Sequence, residues 1–226
     1  MNSVNDTLRE NPYPGRLLLL GRTLDGSLNA AYVLTGRSAA SKDRHFELIS
    51  DQELAVSPIG RQGHDSLRHY TAACTAGAWT IYGNGEQVTE VAARLRDGQV
   101  PMVALHDLRY EPDPPICTPR ITAVVERGTG RAWFGAARHP ESERESPDTV
   151  VTALGDLLAG QAVLLSTYHS DGTQVATARR HLDLSLTAED ASQLLEELWK
   201  AMDHRFLVAA TVFAPQQGVQ GIVRHI

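Results

Sequence analysis

Apolar residues along the chain come in short runs broken by Gly, Asn and Asp, and the spacing within each run separates strands from helices. The segment Arg16–Arg22 encloses the aliphatic run 17–20 and reads as a buried strand; an Asp25-Gly26 turn and a second strand over 31–36 follow. Residues 46–49 and 54–59 form another expected strand pair, and 78–82 is a strand running into the tight turn Gly83-Asn84-Gly85. Beyond that turn the period lengthens. Val88, Val91, Ala92 and Leu95 recur at three and four residues, with Gly98 as a stop, which predicts a helix. Residues 100–108 fit helix or strand equally, whereas 110–115 hold three prolines in four residues and fit neither. A hairpin is expected from 121–126 and 132–137 about Gly128-Thr129-Gly130, then a charged loop over 140–147. A further strand pair is expected from 163–168 and 174–181 about Asp171-Gly172. The strongest helical pattern places Leu194, Leu195, Leu198, Trp199 and Met202 on one face, capped by Thr187 with Asp190 three residues on. Strands over 206–213 and 219–223 close the chain. Many hairpins with few helices imply an α+β domain of packed sheets flanked by helices.

At 226 residues the chain is long enough for one domain with its own core. Residues 1–12, polar and rich in Asn and Pro, are expected as a flexible N-terminal arm, and 13–226 as a single domain. A net charge of −6 gives no global positive field, so neither nucleic acid nor an anionic membrane is an expected partner. No apolar run approaches the ~20 residues of a membrane span, and Arg9-Glu10 within the first 20 residues argues against a signal peptide. Two cysteines, Cys74 and Cys117, make no disulfide framework, so both are expected reduced, in the cytoplasm. Only Lys42 and Lys200 among the 21 basic residues are lysine; the arginine excess suits planar, bidentate recognition of phosphate or carboxylate.

No phosphate loop, dinucleotide fingerprint or nucleophile elbow is present. The nine histidines include no HExxH; His106 with Arg109, and His64 with His69, are the nearest approach to a cluster, and no metal is expected. Asn2 follows Met1, so autocatalytic N-terminal nucleophile chemistry is not expected. Three segments are chemically loaded: 35–44, where Arg37, Ser38, Lys42 and Arg44 could cradle an anion; Glu111 on its stiff proline loop, placed as a general base; and Arg120 presented by Pro119 at the mouth of a strand.

The order of these segments carries a resemblance. Tyr13-Pro14-Gly15-Arg16-Leu17, Gly21-Arg22, Asp25-Gly26-Ser27, Tyr32-Val33-Leu34-Thr35-Gly36-Arg37-Ser38 leading to Arg44, Asn84-Gly85, Tyr110-Glu111 and Thr118-Pro119-Arg120-Ile121 are similar to the archaeal-type inosine monophosphate cyclohydrolases over nearly the whole chain. The resemblance implies a four-layer α-β-β-α sandwich like that of N-terminal nucleophile hydrolases, without the nucleophile. It implies closure of 5-formamidoimidazole-4-carboxamide ribonucleotide to inosine monophosphate with loss of water, or the reverse opening, with no cofactor. By the same resemblance Glu111, Arg44 and Tyr70 are the expected catalytic residues, and Arg22, Arg37, Ser38, Asn84, Gly85, Thr118 and Arg120 the expected substrate-binding residues.

The segment 68–74 departs from the family pattern. Its active-site tyrosine position falls on Ala72 or Ala73, two or three residues after Tyr70, and extra residues precede the glutamate between His106 and Tyr110. Two alternatives therefore stay open: a same-fold enzyme acting on a related imidazole or purine-like nucleotide in a specialised pathway, and a non-catalytic nucleotide-binding module. A homo-oligomer is expected, with Trp199, Met202 and the loop 140–147 either interfacial or structural.

Overall fold

A computed structural model describes residues 1–60, 65–178 and 180–226. The chain opens with β1 (Asn2–Ser3), α1 (Val4–Glu10), β2 (Arg16–Arg22), β3 (Leu28–Thr35), α2 (Ala39–Lys42), β4 (Arg44–Ser50) and β5 (Glu53–Pro58). It continues through β6 (Tyr70–Ala76), β7 (Trp79–Gly83), α3 (Gln87–Arg96), α4 (Pro101–Ala104), β8 (Arg120–Glu126), β9 (Ala132–Arg138) and β10 (Asp148–Leu154). It ends with β11 (Gln161–Ser166), β12 (Tyr168–Ser170), β13 (Val175–Thr177), β14 (Leu182–Ser185), α5 (Ala191–Ala201), β15 (Leu207–Phe213) and β16 (Gly221–His225).

Two seven-stranded sheets result, ordered β1-β14-β11-β2-β3-β15-β16 and β10-β9-β8-β7-β6-β5-β4, with a separate β12-β13 ribbon. All pairings among the described residues are antiparallel except β1 with β14. Strand alternation explains how the sheets pack. Leu18, Leu20, Tyr32 and Leu34 of the first sheet meet Tyr82, Ile121 and Phe134 of the second in a core between them. Leu17, Leu19 and Val33 point the other way, under α1 and α5. On the second sheet Ile81, Val124 and Trp133 point outward under α3 and α4. The packing order is therefore helices, sheet, sheet, helices. No described helix is long and apolar enough to cross a membrane.

The N-terminal arm needs correction. Ser3 caps α1 by accepting from Asp6 N, and Val4 and Leu8, one turn apart, are buried with the α5 face. Two apolar residues are too few for a periodic signal, and packing supplies the rest. The second correction concerns 163–168 and 174–181. β11 pairs with β2 and β14, while the Asp171-Gly172 turn closes only the short ribbon. Strands β6 and β10 were not expected. The α5 cap is Asp190, which accepts from Gln193 N at 2.8 Å; Thr187 instead donates to Glu197. Trp199 and Met202 are buried within the chain, so they are structural rather than interfacial.

Candidate active site

Antiparallel order decides what gathers where. Alternating strand directions bring the starts of β2, β4, β6 and β8, and the ends of β3, β7 and β11, to one end of the two sheets. Those positions carry Arg16, Arg44, Tyr70 and Arg120, with Asn84 just past β7, Thr35 ending β3, and Tyr168 just past β11.

At the centre Arg16 Nη2 donates to Glu111 Oε1, an ion pair whose side chains are 10% and 4% exposed. Asn84, fully buried, adds a second donor to Oε1 (3.1 Å) and anchors itself by donating to Pro119 O (2.8 Å) and accepting from Ile121 N (2.6 Å). The proline loop holds its shape through Glu111 N, which donates to Thr118 O (2.8 Å). Burial pushes the Glu111 carboxyl up. Arg16 and Arg120 pull it back, and the balance remains above the ordinary carboxylate range. Burial works against the charge of Arg16, yet Glu111 and the surrounding phenols leave that guanidinium raised well above its usual value. Arg120 lies 3.6 Å from Glu86, and Gly85 makes room for Gln87, whose Oε1 would stand 2.7 Å from a Cβ there. The Nε–H groups of Arg16 and of Arg120 are both buried and have no acceptor. Such donors cost about 1–3 kcal/mol each when left unpaired, which makes both candidates to meet a ligand oxygen.

Beside this pair lies a phenolic one. Tyr32 OH and Tyr70 OH are 2.7 Å apart, buried, and feel both Arg16 and Arg44. A β-bulge brings Tyr70 here. Ala55 pairs with Thr71 and Leu54 with Ala73, which leaves Ala72 as the extra residue. Tyr70, Ala72 and Ala73 consequently face the inter-sheet core, and Cys74 and Ala76 turn outward. Arg44 donates from Nε to Ser41 O (2.9 Å) and from Nη2 to Thr35 O (3.1 Å). Burial, then the neighbouring charge of Arg16, pushes its guanidinium down.

The third wall comes from the ribbon. Tyr168 OH meets Thr118 Oγ1, which donates to Asp113 Oδ2 (2.6 Å), while Thr118 N donates to Asp113 Oδ1 (2.6 Å). The Tyr13 ring stacks on Tyr168 at 5.7 Å, and the Arg37 guanidinium covers Tyr13 at 5.1 Å. Arg44 and Arg120 thus border the cluster, whereas Arg37 is exposed, donates to Gly172 O (3.5 Å) and reaches the cluster only through the Tyr13 ring.

Two expected binding residues are not in it. Arg22 ends β2, whose other end carries Arg16, about 20 Å away at ~3.3 Å per residue; it donates to Leu157 O and Gly26 O. The Ser38 hydroxyl closes a capping box with Ser41 on α2, so it supports the Arg44 acceptor instead of facing the cluster. Thr118 is present, but its hydroxyl is engaged by Asp113 and Tyr168. Sequence reasoning gave no site role to Arg16, Tyr32, Asp113 or Tyr168. An arginine leading a run of four leucines was the available signal, since a buried guanidinium requires an anionic partner. His106 pairs with Asp107 at the surface (2.8 Å) and His69 Nδ1 accepts from Asp65 N, while His64 lies outside the described residues. Among the described residues no three His, Cys, Asp or Glu side chains gather as metal ligands would.

Comparison with known proteins adds a family and a relative. A family model described as IMP cyclohydrolase-like protein matches residues 13–218. A protein of Methanopyrus kandleri named IMP cyclohydrolase is 28% identical over 163 residues, covering 69% of this chain and 75% of the relative.

Proposed function

The chain belongs to the IMP cyclohydrolase-like protein family, and from that premise we propose that its cluster closes the pyrimidine ring of a purine nucleotide. The substrate is 5-formamidoimidazole-4-carboxamide ribonucleotide and the products are inosine monophosphate and water. The observation that carries this reading is a buried Glu111–Arg16 pair beside two buried guanidinium donors that lack acceptors. The kinship of the layered sheets with the N-terminal nucleophile hydrolase sandwich belongs to the same proposal.

Both reacting groups sit on one imidazole ring, so proximity is covalent and the protein supplies orientation, proton transfer and charge stabilisation. Arg16 and Asn84 hold Oε1 of Glu111, which leaves Oε2 to meet the carboxamide N–H. A carboxyl raised by burial both accepts that proton and returns it to the formyl oxygen. As the nitrogen lone pair forms the C–N bond, the carbonyl pair moves onto oxygen, where Arg16 Nε–H is the free donor for the oxyanion. Arg44 and Arg120 take the phosphate. The test is the ultraviolet change of the purified protein with the formamido ribonucleotide and, separately, with inosine monophosphate, without metal or nucleoside triphosphate. Turnover is expected with at least one. Tight binding of both with turnover of neither would sink the reading.

A further inference from the structure

Closure moves two N–H hydrogens onto one oxygen, one from the carboxamide, for which Glu111 accounts, and one from the former formamide nitrogen. The second belongs to the dehydration of the cyclic carbinolamine, and the ribbon wall offers it a route. Thr118 has one hydroxyl hydrogen, and it is donated to Asp113 Oδ2 at 2.6 Å. Tyr168 must therefore be the donor in its contact with Thr118 Oγ1. That fixes the direction of the whole chain: the hydrogens of Tyr168 and Thr118 both point outward toward Asp113. That leaves the lone pairs of Tyr168 free to accept, on a phenol that feels Arg16 and Glu111 of the cluster. Tyr168 and Thr118 are buried, whereas Asp113 is half-buried and reaches solvent.

We propose that Tyr168 is a catalytic residue that accepts the proton of the former formamide nitrogen, with Thr118 and Asp113 as positioning residues that relay it to solvent. This rests on the ring-closing reading above. In the step, the N–H proton passes to Tyr168 oxygen, the Tyr168 hydrogen to Thr118 Oγ1, and the Thr118 hydrogen to the Asp113 carboxylate. Tyr168 and Thr118 each end with one hydrogen again, and Asp113 releases the proton to water. The nitrogen pair forms the C=N bond, and the C–O pair leaves with the hydroxyl as hydroxide. The proton released by Asp113 and the hydroxide together make the water lost in the reaction.

The relay acts as one unit, and that is its test. Tyr168→Phe and Thr118→Val should each lower kcat tenfold or more with KM within about twofold, since general acid–base groups contribute about 10²–10⁴. Thr118→Ser keeps the hydroxyl and should restore most of kcat, while Asp113→Asn keeps the shape but cannot take the proton and should behave like Thr118→Val. The double variant Tyr168→Phe/Thr118→Val should be no slower than the slower single. Wild-type turnover with unchanged kcat in Thr118→Val, or losses that multiply in the double variant, would overturn the relay alone. A wild-type protein without turnover overturns the ring-closing reading and the relay together. Melting curves and inosine monophosphate titrations of each variant separate lost chemistry from lost folding.

Discussion

Asn84→Ala probes how the carboxylate is held. The Asn84 amide serves four partners: it donates to Glu111 Oε1 and Pro119 O, and accepts from Ile121 N and Gln87 Nε2. Two of these survive truncation, because Glu111 keeps Arg16 and Gln87 keeps Ile121 O at 3.1 Å. Pro119 O and Ile121 N do not. Ile121 turns its N–H toward the β7 side, where Asn84 N takes its carbonyl at 3.2 Å, so no other strand can satisfy that N–H. Two buried orphans at about 1–3 kcal/mol each make the loss about 2–6 kcal/mol. For a chain of this length that lowers Tm by about 4–24 °C. With the Glu111 loop loosened, kcat should fall tenfold or more, since displacement by about 1 Å already costs up to ~10²-fold. Asn84→Asp is the companion: it keeps both accepted bonds, loses both donated ones, and sets a second carboxylate beside Glu111, which pushes that carboxyl further up. Thermal unfolding by circular dichroism and the ultraviolet turnover assay read both effects. Asn84→Ala that melts within about 1 °C of wild type and turns over normally would refute the claim that Asn84 anchors the carboxylate.

Three further outcomes are expected. Because burial raises Glu111, its base form is lost at a higher pH than for an ordinary glutamate near 4.3; kcat/KM should fall on the acid side with a limb above that value, and a limb at or below it would contradict the assignment. The Cys74 thiol, buried and pushed up to about 11 mainly by burial, should resist iodoacetamide in the native protein, whereas half-buried Cys117 should react; mass spectrometry of native and denatured samples distinguishes them, and native labelling at Cys74 would contradict the packing. Arg44→Lys or Arg120→Lys should weaken nucleotide binding about tenfold or more, because an ammonium cannot reproduce paired hydrogen bonds, while affinity for the nucleoside without phosphate should hardly change; equal losses for both ligands in calorimetry would remove the phosphate role.

What the sequence made legible depended on compact apolar runs and on one clear helical period. The strand Arg16–Arg22 and the β8–β9 hairpin stand out as short buried apolar runs bounded by charged or turn residues, and the α5 face by its three-and-four spacing. β6 was missed because its Thr and Ala residues give little contrast and its bulge breaks the period of two midway. β10, an edge strand with no fully buried residue, has no face to betray it. In the site, Glu111, Asn84 and Arg120 were legible through the ordered motifs. Tyr32 and Tyr168 looked like ordinary strand aromatics, and only tertiary pairing with Tyr70 and Thr118 gives their hydroxyls a role. Arg22 shows the converse: it shares a strand with Arg16, but at its far end.

The proposal turns on Glu111 performing the proton transfer in a cluster whose arginines hold the nucleotide. Glu111→Gln is nearly isosteric, keeps an oxygen for Arg16 and Asn84, and removes the base together with the charge opposite Arg16, so turnover and inosine monophosphate affinity, read beside a melting curve of that one variant, test it most directly. Turnover at least about 10²-fold below wild type, with affinity within a few-fold, is the expected result; turnover retained, or turnover and affinity lost together in a protein that still melts cooperatively, would contradict it.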